Sequence, residues 1–221
     1  MESVDIFKPS KERGKNMAKK RMDSGPPDIA VRERLLSCAT ELFTRKGYTA
    51  TTVREIVTGA GVTKPVLYYY FRNKEGIYLE LIRGAFAKFD ALLDETRKEQ
   101  GKATERLFRF SDRVFALFME NIKVARLMYS IYYGPPQGAP FFDFDAVHLR
   151  LQEVVRSLIR KGIRQGELPK GNIEDRVWII LGAVNIAMEV NLSHPEKTIN
   201  RKGFVRILNL ILRGFRQEGR R

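Results

Sequence analysis

Cysteine is all but missing. Cys38 stands alone in 221 residues, so no intrachain disulfide can form, and a reducing compartment is the expected setting. Histidine is nearly as scarce. His148 and His194 lie far apart in the chain, and neither has a cysteine at metal-ligand spacing. No glycine-rich phosphate loop and no nucleophile-elbow motif is visible. The residues give no basis for an enzyme, and no cofactor or metal is expected.

Acid is in short supply too. The chain has 40 Lys and Arg against 26 Asp and Glu, a formal charge of +14, and a pI near 10.0. Such a balance suits a polyanionic partner, either nucleic acid or an anionic membrane face. Long apolar runs are lacking: the longest, residues 177–188, is shorter than a bilayer span needs and contains Asn185. The basic N-terminus has no apolar segment of the signal-peptide kind. No membrane partner is therefore expected, and the expected location is the cytoplasm.

What remains is globular: 43% of residues are hydrophobic and 30% charged. Residues 1–28 mix Lys, Arg, Gly, Pro and Ser and read as a disordered basic arm. Within it Lys19-Lys20-Arg21 is equally a phosphate-touching arm or a solvated tail. From Ile29 onward the helical period takes over. Leu35, Leu36, Ala39, Leu42 and Phe43 form the stripe of a first helix, which Gly47 ends. Beyond residue 74 six more helices follow and no strand, with a hard break at "GPPQGAP" (residues 134–140). The expected fold is all-α with about nine helices: residues 29–74 as one domain and residues 75–221 as a second.

Between the first helix and those six lie two short ones. Thr52 with Glu55 three residues on makes a capping box. Gly61 suits a tight turn, and Thr63 is placed to cap the next helix with Pro65 in its first turn. This is a helix-turn-helix. In "TKPVLYYYF" residues four apart lie over one another. Leu67 and Phe71 then share the inner face, with Tyr70 near it. Lys64, Pro65, Tyr68 and Tyr69 project outward. Lys64 suits a base edge or phosphate, the Tyr68 hydroxyl a phosphate, and Pro65 with Val66 a thymine methyl.

The stretch "TTVREIVTGAGVTKPVLYYYFRNKEGIYLELI" resembles the DNA-binding segment of the TetR family of bacterial transcriptional regulators. The resemblance rests on Thr52, Ile56, Ala60-Gly61-Val62-Thr63, Leu67-Tyr68, Tyr70-Phe71 and Lys74-Glu75, within residues 35–82. It implies phosphate contacts at Thr52, Tyr68, Tyr70 and Lys74. It implies base reading at Arg54, Lys64, Pro65 and Val66. Thr63 and Tyr69 complete the expected DNA-facing set. Departures are Val57 where alanine is usual, Pro65 where glycine is commonest, and Tyr70 where histidine is frequent. The first bears on the helix crossing, the other two on the operator sequence.

The last two helices carry a further expectation. "VWIILGAVNIAMEV" is apolar nearly all round, and residues 204–215 form a broad apolar stripe. Trp178, Leu181, Gly182, Phe204, Ile207, Leu208, Ile211, Leu212 and Phe215 are the expected faces of a homodimer, an arrangement the TetR resemblance also implies. The resemblance further implies an effector cavity in the aromatic-rich middle. Its expected lining is Phe86, Phe89, Phe115, Phe118, Tyr129, Tyr132, Tyr133, His148, Trp178 and Asn185, suited to a largely apolar or aromatic small molecule. The function so implied is a dimeric, ligand-released repressor on a near-palindrome of double-stranded DNA. Two rivals stay open: a DNA-binding protein indifferent to sequence, and a small-molecule binder with a vestigial helix-turn-helix.

Overall fold

The computed structural model describes residues 27–134 and 138–217. The expected arm, residues 1–28, lies almost entirely outside the described residues, as does the centre of the "GPPQGAP" break. Among the described residues all regular structure is helical. In chain order the helices are α1 (Pro27–Lys46), α2 (Val53–Ala60), α3 (Lys64–Phe71), α4 (Lys74–Lys98) and α5 (Ala103–Glu120). Then come α6 (Ile122–Tyr132), α7 (Phe144–Arg164), α8 (Ile173–Ser193) and α9 (Arg201–Gln217), with a single 3-10 turn at Pro195–Lys197.

Two hydrophobic cores organise these helices. The first gathers Leu35, Ala39 and Phe43 of α1, Ile56 of α2, and Leu67 and Phe71 of α3. It also takes Ile77, Tyr78, Ile82 and Phe86 from α4 and Leu127 from α6. Packing therefore does not divide at residue 74: the first half of α4 belongs to the helix-turn-helix unit. The second core joins the rest of α4 to α5, α7, α8 and α9 around Phe110, Phe115, Ile159, Ile180 and Phe204. Each such side chain, fully buried, contributes about 1.5–3 kcal/mol.

Local chemistry sets the joints. At α2 the capping box is complete: the Glu55 amide donates to Thr52 Oγ1 at 3.3 Å, and the Thr52 amide donates to Glu55 Oε2 at 2.9 Å. Gly61 closes α2 at φ 65°, a left-handed conformation that glycine adopts without strain. Asn73 caps α4 by accepting from the Gly76 amide at 2.7 Å. Gly76 allows the α3–α4 corner, since a Cβ there would sit 1.8 Å from the Phe71 carbonyl oxygen. In the second core Glu167 caps α5, accepting from the amides of Ala103 and Thr104 at 2.8 Å each. Burial opposes that charge, but the bonds from Thr104 and Ala103 hold the Glu167 carboxyl below its ordinary value. Asp112 of α5 grips Arg201 of α9 through two bonds of 2.9 and 2.6 Å.

By length and composition α8 could cross a membrane, with a mean hydropathy of 1.2 over its best window. It is longer than the apolar run read from sequence. Burial accounts for part of the composition: Val177, Ile180, Leu181, Val184 and Ala187 pack into the second core. Arg176 is buried beside them, donating to the Pro169 carbonyl at 2.9 Å and lying over the Phe215 ring.

Candidate nucleic-acid interface and cavity

Helix α3 is divided as its spacing requires. Leu67 and Phe71 are buried, while Tyr68 is 47% and Tyr69 78% exposed. Lys64 and Pro65 are exposed beside them, and Val66 and Tyr70 are half-buried. Tyr70 packs against the first core and meets the Tyr69 ring edge-on at 5.0 Å. Thr63 occupies the N-cap position, yet its side chain makes no capping bond. The expected cap is thus formed by backbone alone, and the hydroxyl stays exposed at the helix start.

On α2, Thr52 and Arg54 are exposed. The Thr52 hydroxyl donates to Glu55 Oε2 at 2.8 Å, so a phosphate contact requires it to rotate away. Glu55 is held as an anion: an ion pair with Lys46 and bonds from Thr52 lower its pKa to about 2.

Lys74 departs from its expected role. Its ammonium donates to the carbonyl oxygens of Tyr48, Thr49 and Thr51 at 2.9, 3.4 and 3.0 Å. It also lies 4.2 Å from the centre of the Tyr48 ring. An ammonium has three N–H donors, and all three are engaged. Burial lowers its pKa. Lys74 here fastens the α1–α2 loop to the start of α4, instead of pointing a free charge at phosphate. Sequence could not reveal this, because the three carbonyls come together only in the folded loop.

A cavity of about 210 Å³ opens between α4, α5, α6, α7 and α8. Phe86, Phe89, Phe118, Tyr129, Tyr132, Tyr133, His148 and Asn185 all line it. Phe115 does not: it is fully buried and stacks on Phe204 at 4.5 Å in the second core. Trp178 does not either, being 58% exposed on the outer surface of α8. Sequence reading missed Leu117, Met128, Val147, Leu151 and Met188 as lining residues. Helical spacing from Asn121, His148 and Asn185 reaches Leu117, Met128, Leu151 and Met188, but the same spacing describes a filled core. Burial pushes the Tyr129 phenol up to about 12, with Tyr133 and Glu189 adding to the effect. The Tyr132 hydroxyl donates to Asp145 at 2.6 Å. Asn121 is also engaged, donating to the Leu117 carbonyl and accepting from Lys88. Among the described residues no three His, Cys, Asp or Glu side chains gather as a metal site.

An apolar strip lies open on α8 and α9. Trp178, Ile179, Ile186 and Leu210 are 58%, 47%, 56% and 68% exposed, and no atom would meet a Cβ at Gly182 or Gly214. This corrects the expected dimer face. Leu181, Phe204, Leu208, Leu212 and Phe215 are buried in the protomer's own core and have no outer surface to offer. Ile207 and Ile211 are half-buried, and Trp178 and Gly182 face outward. An all-round apolar helix does not announce which side its neighbours occupy, so the exposure of Ile179 and Ile186 on α8 was not read from sequence; nor was that of Leu210 on α9.

Residues 35–81 match the family model described as bacterial regulatory proteins, tetR family. The HTH-type transcriptional repressor KstR2 of Mycolicibacterium smegmatis is 34% identical over 173 residues, covering 71% of this chain and 80% of that protein. The chain belongs to the TetR family. The first curated relatives are matched over about two fifths of their length. One is the uncharacterized HTH-type transcriptional regulator YdgC of Bacillus subtilis, 39% identical over 77 residues, which are 35% of this chain and 40% of YdgC. The fold likeness runs further. The TetR family regulator PfmR of Thermus thermophilus superposes with a TM-score of 0.65 at 26% identity, over 81% of this chain and 97% of PfmR. For this TetR-family member the matched segment ends within α4, where the first core gives way to the cavity wall.

Proposed function

We propose that this protein is a dimeric, effector-responsive transcriptional repressor. In this reading two copies present paired α3 helices to a near-palindromic site in double-stranded DNA. The observation that carries it is the division of α3. Leu67 and Phe71 lock one side into the core, while Lys64, Pro65, Tyr68 and Tyr69 stand out from the other. A helix serving stability alone has no use for two exposed tyrosines. Lys64 and Arg54 read base edges; the Tyr68 hydroxyl and Thr63 hold phosphate. The relative named a repressor supports that direction of control.

The cavity supplies the regulation. Its ligand is a largely apolar or aromatic small molecule, oriented by the few polar groups present: Tyr129, His148 and Asn185. Two helices join this cavity to the DNA-binding unit. On α6, Leu127 sits in the first core and Tyr129 in the cavity wall. On α4, Phe86 belongs to both. A ligand that favours one placement of these helices shifts the spacing of the recognition helices by its differential affinity.

Selection from random duplex DNA, with the winners rebound across a salt series, tests this. A shared near-palindrome that outlasts non-specific DNA as salt rises is the expected result. Binding with no shared motif, collapsing with salt, would sink it. Compounds that raise the melting temperature should also release the selected duplex.

A further inference from the structure

Two shallow grooves flank α1, and both are lined by Glu41 and Arg45. One lies against α2 and reaches Arg54 and Thr58. The other lies against α6 and reaches Lys123 and Arg126. Sharing Glu41 and Arg45, the two grooves adjoin across α1 and are taken together as one trough, from α2 to the helix that walls the cavity. Its charge is lopsided. Arg45, Arg54, Lys123 and Arg126 are all exposed. Of the two acids, Glu41 pairs with Lys123 at 3.4 Å and Glu55 is held by Lys46. Among the described residues Arg45, Arg54 and Arg126 have no carboxylate partner. Three unpaired guanidiniums along one trough repel each other and favour an extended anion over a single small one.

We propose that this trough carries the sugar-phosphate backbone of duplex DNA outside the base pairs read by α3. The proposal rests on the DNA-binding reading above. Arg54, which that reading places at base edges, also lines the trough, so the trough begins at the base-reading surface. The contact matters because of where it ends. Arg126 lies three residues from Tyr129, a cavity-lining side chain on the same helix. Helix α6 would then hold DNA directly, and a ligand that moves α6 would act on phosphate contacts as well as on the spacing of α3.

The test uses the full chain, the selected site alone, and the same site extended by about one helical turn of duplex, roughly 10 base pairs, on each side. Each phosphate contact adds about 0.9 to the slope of log affinity against log salt. Wild type should show a steeper slope on the extended duplex. The double variant Arg45→Ala/Arg126→Ala should lose that increment, about 2 per protomer, and bind the trimmed site like wild type. Its melting temperature should not change, since neither side chain has a partner to lose. Equal slopes for wild type on the two duplexes overturn the proposal. So does a variant whose loss is the same on the trimmed site. Failure of wild type to select any site is a different result, and removes the reading beneath.

Discussion

Lys74 and Glu55 show how much polar surface of the helix-turn-helix unit is spent on holding itself together. Lys74 satisfies three loop carbonyls. Lys74→Met keeps most of the stem and removes the donors. It should cost about 2 kcal/mol of stability, the net value of a charge-assisted hydrogen-bond group at a partly buried site, read as a lower urea midpoint. DNA affinity should fall for every sequence with the salt slope unchanged. A slope lower by about 1 would instead restore the phosphate role. Glu55 carries a pH signature. Its carboxyl titrates near 2 in the folded protein against 4.5 ordinarily. A depressed folded pKa contributes stability above the unfolded pKa and loses it as pH falls through the folded one. The melting-temperature gap between wild type and Glu55→Gln should therefore be full above about pH 4.5 and should close as pH drops toward 2. A gap independent of pH would mean that the capping box works without the charge.

Among the helices, α3 was the most legible and α8 the least, for one physical reason. The eight residues of α3 separate cleanly into apolar positions 67 and 71 and polar positions 64 and 68, so spacing assigns the faces. In α8 nearly every position is apolar, and spacing assigns nothing. The Thr52 cap was legible because it is local, spanning three residues to Glu55, whereas Thr63 sits at the N-cap position without a side-chain bond. The Lys74 clasp reaches back 23 to 26 residues, and the Glu167 cap joins residues 63 and 64 apart. No local pattern encodes such contacts. The cavity stood between these cases. Its aromatic residues were visible, but Phe115 and Phe118 differ only in which side of α5 they occupy. The family resemblance located the region, not the wall. The α3 assignment yields its own expectation. Lys64→Ala should relax preference at one base position by about 1–3 kcal/mol, leaving the fold intact because Lys64 is exposed. Competition between the selected duplex and single-base variants measures it. An unchanged preference profile would move base reading to Arg54.

At the scale of the whole molecule, α8 and α9 leave an apolar surface that a soluble monomer has little reason to keep. Trp178, Ile179, Ile186 and Leu210 are four large side chains at about half exposure or more, with exposed Arg206 and Arg213 flanking Leu210 on α9. Gly182 and Gly214 leave room for close helix approach on the same two helices. A second copy of the same face is self-complementary, and that is what an isologous dimer requires. Trp178→Glu and Leu210→Glu place a charge on the open strip without touching either core. Each should shift sedimentation from dimer to monomer at micromolar concentration and leave helical content unchanged. Affinity for the full near-palindrome should fall at least 100-fold, because the second half-site is then no longer tethered. A single half-site should bind as before, since the recognition unit keeps its own core. Retention of the dimer in both variants would exclude this strip as the interface. Substituting buried Leu208 would not serve the same purpose: its loss would unfold the protomer and report only on stability.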